Sequence, residues 1–178
     1  MTKLKPKLLQ ILFLLFVAIA VVLYVRSRVS PPRPTGGADY NSLVPGLSSK
    51  QAAIDKLGEP LGGPDAEVLL YKSNNPNLPN ELRLEENTIF FIKEIVAPSD
   101  NKTSDQIKQI YGDTNYILYG LGSGSGFALY VYPDRGIAYV GHTRASVLLE
   151  IWYFPPTTFP EFRSRWASDY TLSPIPQQ

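Results

Sequence analysis

Residues 8–25 form an unbroken apolar run, LLQILFLLFVAIAVVLYV, in which Gln10 is the only strongly polar member, and every acidic residue of the chain follows it. Eighteen residues at helical rise span about 27 Å, close to the hydrocarbon core of a bilayer. Lys3, Lys5 and Lys7 would also suit the basic start of an export signal. The run is longer than the apolar stretch of such a signal, however, and it ends in Arg26-Ser27-Arg28 rather than in a small-x-small cleavage site. The expectation is a single transmembrane helix over residues 8–25. It would be preceded by a basic cytoplasmic N-terminus over 1–7 and followed by a Pro/Gly stalk over 26–39. A short basic N-terminus before a long acidic remainder favours N-terminus in and C-terminal domain out, hence a single-pass membrane protein with an extracytoplasmic domain.

The whole-chain charge of +1 hides a division. Residues 1–38 hold six Lys and Arg and no acid, whereas residues 39–178 hold eleven basic and sixteen acidic side chains, a net charge of −5. A net acidic domain binds nucleic acid poorly. With no cysteine in the chain, disulfides, Cys-based zinc sites and a lipoprotein anchor are all excluded. Residues 40–170 are enough for one domain with its own core, and the Pro-containing tail 171–178 has little to bury.

Within that domain the chain states one pattern twice. SKQAAIDKLG (49–58) and TSDQIKQIYG (103–112) both open on a hydroxyl cap, carry an apolar stripe and stop at glycine. Each precedes a β-type run ending in tyrosine, 68–71 and 116–119. Two hairpins are expected, 82–84 with 88–92 and 127–132 with 137–140, then a strand over 147–154 and a helix over about 158–169 capped by Thr158. The fold class read from this is α+β: after the transmembrane helix, two helix-plus-antiparallel-strand repeats forming one curved sheet with helices on one face, and a C-terminal helix.

The segment from Pro45 to Pro60, PGLSSKQAAIDKLGEP, resembles the opening of SmpA/OmlA/BamE-like domains. Gly46, Ser48, Ser49, Leu57, Gly58 and Pro60 match that pattern, with Ala53 where the family usually has Val. The apparent duplication is also similar to the tandem repeat of the beta-lactamase inhibitor protein. The resemblance implies a small extracytoplasmic α+β module that works by protein contact, here on a transmembrane anchor instead of a lipid anchor.

No motif specifies catalysis. The run GLGSGSG (120–126) joins two strands and lacks the following Lys-Ser/Thr and helix of a phosphate loop. His142 is the only histidine, so a hydrolase would need a distant carboxylate and a His-rich metal site cannot form. The acids, including Asp55, Glu59, Asp65, Glu67, Glu81, Glu85 and Glu86, show no calcium-loop spacing. Asn101-Lys102-Thr103 has the form of a glycosylation sequon but lies where helix caps are wanted.

Strand alternation places Tyr130 and Tyr132 on one face, joined by Tyr139 and Trp152 if the register allows. Tyrosine and tryptophan give contact area at low entropic cost, so these four residues, with Gly122 and Gly124 of the flexible loop, are the expected partner-binding surface. The function expected is non-catalytic binding of a protein or cell-envelope partner, with no cofactor and no metal. The alternative is a small envelope hydrolase or glycan-binding enzyme using carboxylates near the tyrosine-rich face.

Overall fold

A computed structural model describes residues 37–63, 67–114, 116–120, 124 and 126–174. The expected membrane segment, residues 8–25, lies outside these. No helix among the described residues is long and apolar enough to cross a membrane.

Local signals set the helices. In α1 (Lys50–Leu57) the Ser49 hydroxyl accepts from the Ala52 N–H, and Gly58, at φ +83°, stops the helix. In α2 (Ser104–Tyr111) Thr103 and Gln106 exchange hydrogen bonds as a capping box. The same device, Thr158 with Glu161, opens α3 (Phe159–Trp166).

Seven strands form one antiparallel sheet: β1 (Val68–Tyr71), β2 (Asn80–Glu85), β3 (Thr88–Ile95), β4 (Tyr116–Leu118), β5 (Phe127–Tyr132), β6 (Ile137–His142) and β7 (Leu148–Tyr153). Their spatial order is β1-β2-β3-β7-β6-β5-β4. The last strand thus occupies the centre, and its sequence explains why. Ile151 and Tyr153 enter one core while Trp152 and the following Phe154 enter the other, so β7 must be covered on both faces.

This architecture corrects the expected fold class. In place of two helix-plus-strand repeats with helices on one face, the described residues form one seven-stranded antiparallel sheet with three short α-helices distributed over its two faces. Ala53 of α1 and Ile107 of α2 pack with Leu82, Ile92, Tyr132 and Tyr139 on one side. Phe162 of α3 packs with Phe91, Val131, Trp152 and Phe154 on the other. Periodicity shows that a helix has an apolar stripe; it does not show which sheet face the stripe meets.

Irregularities in the sheet serve these two cores. Between the Arg83–Phe91 and Leu84–Ile89 pairs, β3 carries one extra residue, Phe90. The bulge lets Phe90 and Phe91 both join the α3 side. Both sheet edges are short and closed by single bridges, Leu61 against Leu70 of β1 and Thr171 against Tyr119 beyond β4. Such guarding limits edge-to-edge pairing with another chain.

Candidate functional site

The expected aromatic surface is core. Tyr132 and Tyr139 are 5% and 0% exposed, and Trp152 is 7% exposed. Tyr130 stacks on Tyr139 with ring centroids 4.8 Å apart, under the Lys108 ammonium of α2. Tyr132 donates from its hydroxyl to the Gly112 carbonyl at 2.7 Å, tying the sheet to the end of α2. Burial pushes the Tyr132 phenol up to about 12. Trp152 lies on the opposite face, edge-on to Phe91 and bonded through Nε1 to Glu150 at 2.7 Å. The structure therefore brings Tyr130, Tyr132 and Tyr139 together but separates Trp152 from them. The reason is that α2 covers the tyrosine side of the sheet, with Ile107 and Tyr111 packed against it. Gly124 is exposed, and Gly122 lies outside the described residues. His142 accepts from the Arg144 N–H at 3.1 Å through Nδ1 and packs edge-on to Phe127.

Polar groups converge elsewhere, in a cavity of about 470 Å³ where the β1–β2 connection meets the end of β3. At its floor is Glu94 of β3, only 6% exposed. Glu94 follows Ile92 at strand period and so points into the core on the α1/α2 side. Its carboxylate is held by two partners. The Tyr153 hydroxyl donates to Oε2 at 2.8 Å, and Lys102 pairs with Oε1. Burial first, and then the adjacent Glu94 carboxylate, hold the Tyr153 phenol far above its ordinary value, so it remains a donor.

Asn80, 5% exposed, forms a second fixed wall. Its Oδ1 accepts from the Ile95 N–H at 2.8 Å, and its Nδ2 donates to the Tyr40 hydroxyl at 3.0 Å. Asp100 closes the third side. Its oxygens accept from Asn74 and from the Ala97 N–H, and these two bonds, in that order, hold its carboxyl below the usual carboxylate range. The loop carrying Asn74 is itself tied down by Ser73, whose hydroxyl donates toward the Asn75 and Leu78 carbonyls and accepts from the Asn75 N–H.

The cavity is thus lined by two carboxylates, two lysines, two amides and Tyr40. Lys72 at the rim is exposed and carries no ion pair among the described residues. Such a set can accept hydrogen bonds from hydroxyls and pair with an anion. Sequence reasoning passed over these residues, although one signal was available: Glu94 sits between Ile92 and Val96 at strand period, a charge at a core position.

A second, open groove of about 680 Å³ runs beside the β2–β3 hairpin, with Glu67, Glu85, Glu86, Phe90 and Arg165 along it. Arg165 closes part of it as a clamp, pairing with Glu85 and lying 5.1 Å over the Phe90 ring.

No family model and no curated protein matches the chain. Among solved structures it is similar to a DUF4309 family protein (YjgB) from Bacillus subtilis subsp. subtilis strain 168. That likeness has a TM-score of 0.46 at 18% identity, and it covers 67% of this chain and 88% of the other. The resemblance to SmpA/OmlA/BamE-like domains and the tandem-repeat reading are corrected accordingly, because the comparisons find no such relative and the sheet is a single seven-stranded one. The residues that carried the resemblance have local causes. Ser49 caps α1, Gly58 ends it, and Gly46, at φ +83°, turns its N–H to the Ile89 carbonyl at 2.7 Å.

Proposed function

We propose that this protein is a non-catalytic binding module, held at the membrane by residues 8–25 with its domain outside the cytoplasm, and that it engages an envelope component through the Glu94 cavity. The observation that carries the reading is the buried Glu94 carboxylate, bonded to Tyr153 and Lys102 at the floor of a polar cavity. Burying a carboxylate carries a desolvation cost that an apolar residue of the same size would not, so the buried Glu94 at the cavity floor supports a role in recognition. The wall groups are already fixed by one another, and this lowers the ordering cost of binding.

The test is a photo-crosslinking residue placed at Asn74, on the cavity wall, in intact membranes, with one at exposed Arg144 on the β6–β7 connection as control. An adduct with an envelope component formed from position 74 and absent from 144 is the expected result. Equal labelling at both positions, or none at 74, overturns the reading.

One observation favours the enzyme alternative: Glu94 and Asp100 line the same cavity. Release of product from a glycan by the purified protein, abolished by both Glu94→Gln and Asp100→Asn, would replace binding by hydrolysis.

A further inference from the structure

The cavity that the binding reading rests on also specifies a ligand class. The internal bonds of its walls leave a defined remainder. Glu94 is compensated by Lys102, and Asp100 by Asn74 and the Ala97 N–H. Asn80 spends its oxygen on the Ile95 N–H and its amide on Tyr40 and the Lys72 carbonyl. What is left is the Lys72 ammonium, without an ion pair among the described residues, and the spare lone pairs of the two carboxyl groups. Lys102 keeps further donors beyond its bond to Glu94, and its side chain is 42% exposed.

The unmet demand is therefore one negative charge at the lysine rim and several hydroxyl donors at the carboxylates. A hydrophobic ligand meets neither. A simple anion meets only the first and would sit beside two carboxylates. A cation would meet Lys72 and Lys102 at the entrance. We infer that the cavity takes a hydroxyl-rich anion of saccharide size, a uronate sugar or a sugar phosphate. Its acidic group pairs with Lys72, its hydroxyls donate to Asp100 and Glu94, and its ring lies along Tyr40. The cavity, at about 470 Å³, falls in the range of small-ligand sites, about 300–1,000 Å³.

The inference rests on the binding reading, and its experiment separates the two. Full-length protein in detergent micelles is titrated with glucuronate, glucose 6-phosphate, glucose and inorganic phosphate, with saturation-transfer NMR and calorimetry as readouts. Both acidic sugars are expected to bind in preference to glucose and to phosphate. Lys72→Met should remove that preference, lowering affinity for acidic sugars about tenfold, and Asp100→Asn should weaken every sugar. Of the two acidic sugars, the tighter one identifies which source of the charge the site is built for. Glucose binding as tightly as glucuronate, with Lys72→Met silent, overturns the anionic class and leaves a sugar site. Phosphate alone matching glucose 6-phosphate overturns the saccharide part. No binding of any probe overturns the inference, while the crosslinking from position 74 still decides the binding reading independently.

Discussion

Replacing Tyr153 by Phe removes one hydroxyl and almost no volume, and so isolates the bond that orients the cavity floor. The ring packs 5.9 Å from Tyr40 and is 7% exposed, and its hydroxyl reaches Glu94 Oε2 at 2.8 Å. A hydrogen bond to a charged group contributes about 1.5–3 kcal/mol, and a buried acceptor left without its donor bears the desolvation cost. Lys102 still pairs with the other oxygen, which places the expected loss near the middle of that range, about 2 kcal/mol. For a domain of this size that is a fall in Tm of about 6–10 °C. Urea unfolding checks it, with the midpoint lowered and the m-value unchanged. The double variant Tyr153→Phe/Glu94→Leu removes both partners, and the half-exposed Lys102 can then turn to water. It should recover most of the stability while losing ligand binding. A Tyr153→Phe midpoint equal to wild type, or a double variant weaker than the single one, would refute the reasoning.

Three further outcomes are expected. Asp100 has a folded-state pKa depressed by its bonds from Asn74 and the Ala97 N–H. Its contribution is therefore present above the unfolded carboxyl value and lost as pH falls through the folded one. The Asn74 side-chain amide signal in NMR should stay shifted through neutral pH and revert only below about pH 4. Gly136→Ala should unfold the domain or cost more than about 3 kcal/mol, since φ is +66° and the added Cβ would lie 2.2 Å from the Phe154 carbonyl oxygen; thermal melting reads this directly. Phe162→Ala empties the contact between α3 and the sheet, where Phe162 is 0% exposed and its ring lies 4.7 Å from Phe154. A loss of about 3–5 kcal/mol in chemical denaturation is expected.

The difference between the expected and observed sites comes down to a few residues. Tyr130, Tyr132 and Tyr139 share a face, as alternation requires, but the value of that face as a surface depended on where α2 lay. Tyr111 of α2 stands 5.7 Å from Tyr132 and closes it. Trp152 has the opposite parity because β7 pairs Trp152 with Ala138 and Tyr153 with Ile137. Glu94, Asn80, Tyr40, Asp100 and Lys102 come from the N-terminal segment, two strands and the loop before α2, and no sequence spacing links them.

Short-range chemistry was legible in the chain by itself. Ser49, Thr103 and Thr158 start helices, Gly58 and Gly112 end two of them, and Glu86-Asn87, both at positive φ, turn the first hairpin. Each of these depends on atoms within about four residues of one another, so the sequence contains the whole interaction. Tertiary structure alone decided that β7 lies at the centre, that α3 covers the face opposite α1 and α2, and that two carboxylates, two lysines and Tyr40 line one cavity. Those outcomes depend on which apolar surfaces find each other across the chain, and burial free energy is non-directional, so residue order does not specify them.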